Sequence, residues 1–107
     1  MGWDKENAAA QLGLALNTYI KIVKTFFVEK EVFIAKINAC LNVNDFEGIK
    51  CVAHEVKGVA ANFRIEDIRE LAEKLEVAVK AGSGQDEIRR ITTILEKTFS
   101  DLAQSID

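Results

Sequence analysis

His54, Lys57 and Gly58 fall within five residues of one another in "AHEVKG", residues 53–58. A neutral imidazole is nucleophilic near neutral pH and can accept a phosphoryl group. On a helix, residues three and four apart share a face, so Lys57 would place a cation beside anything negative on the ring of His54. Gly58 would clear the space next to it, at a cost of roughly 1 kcal/mol relative to alanine in a helix interior. Other chemistry has little to stand on. His54 is the only histidine of the chain, so neither a second base nor a zinc site can be built around it. No Walker-type lysine loop or kinase glycine loop occurs, and "KAGSGQDE", residues 80–87, reads as a turn between helices rather than a phosphate cradle. The Asp and Glu residues read as solvated faces. If phosphate moves through His54, a partner must bring the catalytic machinery.

The elements that must position these residues are helical. The chain has no proline, which leaves Gly, Asn and Asp clusters to punctuate it. A first long segment runs from about Asn17, taken as N-cap, to Leu41, with Ile20, Val23, Phe27, Phe33, Ile37 and Cys40 or Leu41 recurring at helical spacing and a kink expected near Glu29 to Glu31. "NVND" breaks the pattern, and Asn44 with Glu47 forms a capping-box pair that opens a helix from about Asp45 to Ala61. "NFR", residues 62–64, separates it from "IEDIRELAEKLEVAVKA", which carries the stripe Ile68, Leu71, Ala72, Leu75, Ala78 and Val79 and ends at "GSG", residues 82–84. A last helix aligns Ile88, Ile91, Leu95, Phe99 and Leu102. Short connections force antiparallel neighbours, so the expected fold is all-α: an antiparallel up-down four-helix bundle with a short extra N-terminal helix in "DKENAAAQLGLAL", weakened at Gly13. At about 100° per residue, Ile49, Val52, Val56, Val59 and Phe63 gather on one side of the histidine helix. His54 lies nearly opposite, with Glu47, Lys50, Lys57, Gly58 and Ala61 around it. A surface histidine needs no role of its own; these neighbours argue for one.

Composition bounds the alternatives. The chain has 107 residues, 49% hydrophobic and 29% charged, which fits one domain over residues 1–107 with a core that needs neither metal nor disulfide. Residues 1–12 read as a short capping helix, and "MGW" as native sequence or an added leader. A net charge of −3 and a pI of about 5.2 argue against a nucleic-acid surface. No run of 18 apolar residues and no signal-peptide pattern is present, and Glu6 stands where a myristoylation signal at Gly2 would want Ser or Thr. Cys40 and Cys51, the only cysteines, lack metal-ligand spacing and are expected to be reduced, inward-packed thiols of a cytoplasmic protein, with a disulfide between them as the alternative.

The stretch "AHEVKGVAANFRIEDIRELAEKLEVAVKAG", residues 53–82, resembles the histidine-containing phosphotransfer (HPt) domain of two-component phosphorelays. The resemblance rests on a histidine, an aliphatic residue, Lys and Gly, then small residues, an Asn-containing turn and a Leu-rich helix: His54, Val56, Lys57, Gly58, Ala60, Ala61, Asn62, Leu71, Leu75, Glu76 and Ala78. It extends back through "FIAKINACLNVNDFEGIKCVAH" and covers roughly residue 13 to the end. It implies that His54 is phosphorylated on its outward nitrogen and exchanges the phosphoryl group with an aspartate of a response-regulator receiver domain. Lys57 would help to hold the phosphate and Gly58 would admit the receiver. The receiver would supply Mg²⁺, so the chain needs no cofactor and is a phosphocarrier rather than an enzyme. Lys50 and Ala61 would join the docking face. A hybrid histidine kinase is a further partner; nucleic acid and membrane are not, and the expected state is a monomer. One departure is Arg64, where the family usually has glycine, which implies a different turn, a strained residue or a partner contact.

Two other readings compete. "HEVK", residues 54–57, is also similar to the phosphorylated box of sensor histidine kinases, but there Thr-Pro follows, where this chain has Gly58 and Val59. The second is a helical scaffold module in which His54 is never phosphorylated.

Overall fold

A computed structural model describes residues 3–106. Among them all the regular structure is helical, with six segments and no strand: α1 (Lys5–Gln11), α2 (Leu16–Val28), α3 (Lys30–Asn42), α4 (Phe46–Asn62), α5 (Glu66–Lys80) and α6 (Gln85–Gln104). Asp4 caps α1 by accepting the Asn7 N–H at 3.0 Å. Gly13 ends it with φ 70°, which turns the Leu14 N–H back to the Ala9 carbonyl at 2.9 Å. α2 and α3 are the two halves of the expected long helix, and the break falls at Glu29, within the expected kink. The bundle is therefore four principal helices, the first of them broken, with α1 as the extra N-terminal helix.

Two expected caps are corrected. α2 begins at Leu16 with Ala15 in the cap position and no side-chain cap, and Asn17 lies inside the helix, accepting only from the neighbouring Thr18 N–H. Before α4, Asn44 takes the left-handed conformation, φ 56°, and Asp45 is the cap, accepting the Gly48 N–H at 2.9 Å. Asn tolerates that backbone well, so it serves as the turn residue that closes α3 while the next residue opens α4.

α3 packs on α4, α4 on α5 and α5 on α6, and α6 returns to α3, which closes an antiparallel ring of helices around the core. Tyr19, Ile37, Leu41, Ile49, Val56, Ile68, Leu75, Ile88, Leu95 and Phe99 are wholly buried. One end of the bundle is aromatic: Phe26 meets Phe27, Phe33, Phe63 and Phe99 with ring centroids 5.1–6.1 Å apart. Trp3 stacks on this end against Tyr19 and Phe27. Its indole N–H donates to the Tyr19 hydroxyl, which donates to the Phe63 carbonyl. Trp3 is thus part of the packed structure, while Met1 and Gly2, on which the leader and myristoylation readings turn, lie outside the described residues.

The cysteines are free, and they are not both inward as expected. Cys40 is half-buried and Cys51 is exposed. The buried stripe of α4 is Ile49, Val52, Ala53, Val56 and Ala60, and Cys51 falls on the far side of the helix from its centre. Apolar neighbours in sequence do not make a position apolar in space. No helix among the described residues is long and apolar enough to cross a membrane.

Candidate functional site

α4 buries Val56 and Ala53 on either side of His54 in sequence and turns the ring outward, leaving its side chain 72% exposed. The partner of the ring comes from α5. Glu76 has its side chain only 8% exposed, and its Oε2 lies 3.3 Å from His54 Nδ1. Its Oε1 lies 2.7 Å from Lys57 Nζ, an ion pair whose approach is off the line of a well-formed hydrogen bond. A carboxylate in so buried a place is costly unless paired. The Lys57 ammonium holds the Glu76 carboxyl below the usual carboxylate range; burial works against that and the His54 ring adds to it.

An ionised carboxylate only accepts hydrogen bonds, so the contact with Glu76 requires the proton on Nδ1. That leaves the lone pair on Nε2, the nitrogen directed away from α5. The arrangement is a nucleophilic nitrogen facing solvent, a fixed tautomer behind it, and a buried negative charge that can balance positive charge developing on the ring.

The other expected residues are arranged along α4. Gly58, one turn beyond His54, is exposed, and a Cβ there would meet nothing within 4 Å. Packing within this chain therefore does not explain the glycine. Gly48 is the opposite case, since a Cβ there would stand 2.6 Å from Asp45 Oδ2 and 2.7 Å from Cys40 Sγ. Lys50, one turn before His54, pairs with Glu47 at 3.1 Å. Ala61 is half-buried two turns beyond.

Arg64 is not brought to the histidine. Ten residues along, it lies about 15 Å away down the axis of α4. It adopts φ 61°, so the missing family glycine is answered by a strained arginine rather than a different turn. Its side chain is occupied: Nε donates to Gln11 Oε1 at 3.0 Å and Nη1 to the Ala61 carbonyl at 3.0 Å.

Glu76 is the site residue that sequence reasoning left without a role. Its signal was available: it lies four residues after Ala72 and eight after Ile68, an acid on the apolar stripe of α5. Beside α4, the outer side of α3 is apolar and small, with Val32, Ala35, Ala39 and Val43 exposed along one line. Among the described residues no three His, Cys, Asp or Glu side chains are grouped to hold a metal ion.

A family model described as Hpt domain matches residues 21–105. Neither the curated proteins nor the solved structures contain a match to the chain.

Proposed function

Because the chain belongs to the Hpt domain family, whose members are phosphocarrier modules of two-component signalling, we propose that His54 accepts a phosphoryl group from a receiver aspartate, or from a kinase, and passes it to another receiver. The observation that carries this is the exposed His54 ring with Nδ1 held by a buried, ionised Glu76. Nε2 attacks the phosphorus of the aspartyl phosphate; the N–P bond forms as the acyl O–P bond breaks, and the aspartate leaves as carboxylate. The Nδ1 proton stays in place throughout. The ring becomes a phosphoimidazolium whose charge faces Glu76, and on transfer onward it departs as neutral imidazole rather than as an anion.

Lys57 stands one turn beyond His54 on α4 with its ammonium on Glu76, and that shared face supports its role as charge partner of the phosphoryl group. Open space at Gly58 supports its role in receiver access. Lys50 and Ala61 flank the ring on the same helix and form the docking margin together with the apolar line on α3; Arg64 belongs to its far edge. The receiver supplies Mg²⁺ and most of the transition-state stabilisation. This reading makes the chain a cytoplasmic monomer between receivers, with a hybrid kinase as the upstream source.

The test is incubation with a phosphorylated receiver domain and Mg²⁺, followed by assay for acid-labile, base-stable phosphate on this chain. Label is expected on the native chain and not on His54→Gln. Label persisting in that variant would show the site to be elsewhere; none from any of a panel of receivers would favour the scaffold reading.

A further inference from the structure

Cys40 and Cys51 stand outside the chemistry proposed for His54, yet the fold brings both to one crossing of α3 and α4. The Cys40 thiol lies against the α4 backbone at Gly48, 2.7 Å from where a Cβ would be. Cys51 is three residues further along α4, and side chains at that spacing have Cβ atoms about 5–6 Å apart. Both thiols are free and Cys51 is exposed. The Cys40 thiol is pushed up by burial first and by Asp45 next. Cys51 also precedes His54 by three residues, one turn away on the outward side of α4.

We propose that Cys40 and Cys51 form a reversible intramolecular disulfide that slows phosphoryl transfer at His54; the gating rests on the His54 reading, the bridge does not. The exposed Cys51 thiolate attacks a low-molecular-weight disulfide, forming a mixed disulfide and releasing one small thiolate. The Cys40 thiolate then attacks the Cys51 sulfur and expels the second small thiol. Two protein thiols are oxidised, one small disulfide is reduced to two thiols, and the two protons pass to those thiols and solvent. A disulfide needs Cβ atoms about 3.8 Å apart. Closing it draws the Cys51 turn toward α3 and pulls Cys40 out of its seat on Gly48. A displacement on the order of 1 Å at the adjoining turn is enough to cost a positioned reaction about 100-fold.

The experiment treats the full chain with oxidised glutathione, removes the oxidant, and reads the mass under non-reducing conditions beside the rate of transfer from a phosphorylated receiver. Expected are loss of two hydrogens without an adduct, a ten- to hundredfold slower transfer, and recovery on adding dithiothreitol. Cys40→Ser should stop at the glutathione adduct on Cys51. Adducts without a bridge in the native chain would overturn the pairing, and a bridge with unchanged transfer would overturn the gating. Failure of the reduced chain to take up label would overturn the His54 reading and the gating with it, while the bridge is judged by mass alone.

Discussion

At Glu76 a carboxylate sits where only its partners make ionisation tolerable. Its folded pKa lies below its unfolded value, so its charge stabilises the fold above the unfolded carboxylate range, and that contribution is lost as pH falls through the folded pKa. Glu76→Gln should lower stability at pH 7 by about 1–2 kcal/mol, and the gap to the native chain should close in urea titrations repeated at progressively lower pH. The same variant keeps an oxygen for Nδ1–H but loses the charge, so transfer should slow by roughly tenfold, the equivalent of about 1.4 kcal/mol. Gly58 makes a complementary case. With open space around it, Gly58→Ala should raise stability by about 0.5–1 kcal/mol in thermal or urea unfolding. Gly58→Leu should also be stable and yet transfer poorly, and equal transfer by that variant would remove the steric account. His54, Lys57 and Gly58 were legible because helical spacing alone places them together. Glu76 reaches the ring from 22 residues away, a contact that only the pairing of α4 and α5 creates.

The helices themselves follow from periodicity, but their ends depend on backbone details that residue type indicates less sharply. Asn44 could cap a helix or turn left-handed; the chain uses it for the turn because Asp45 is available as the cap. The exposure of Cys51 was missed because its segment was judged by composition rather than by angle around the helix. Arg64 carries the sharpest conflict at this scale. A left-handed backbone costs a non-glycine residue about 1 kcal/mol, while its guanidinium fastens the end of α4 to Gln11 of α1. Arg64→Ala keeps the strain and loses the bonds; Arg64→Gly loses both. The glycine variant should therefore be more stable than the alanine variant by about 1 kcal/mol in urea unfolding. The opposite order would mean that the turn had relaxed out of the left-handed region.

Across the whole molecule, the core divides the labour. The aromatic end, around Phe26 and Phe99, supplies bulk, and the middle of the α4–α5 pair supplies the site. Phe26→Ala should cost about 3–5 kcal/mol, a large share of the roughly 5–15 kcal/mol available to a domain of this kind, and calorimetry should show the loss as a lower and broader transition. The general architecture was readable because four amphipathic stripes and short turns admit few arrangements. The assignment of aromatics to one end was not, since it depends on where α2 stops and α3 begins.

Trp3, the only tryptophan, is moored through Tyr19 to the carbonyl of Phe63, nine residues and so about 14 Å along α4 from the histidine. Its emission is therefore a natural optical reporter on the hydrophobic pole. It should dim or shift as the chain melts and stay unchanged when the imidazole gains or loses its cargo, which separates loss of structure from loss of transfer in a single cuvette.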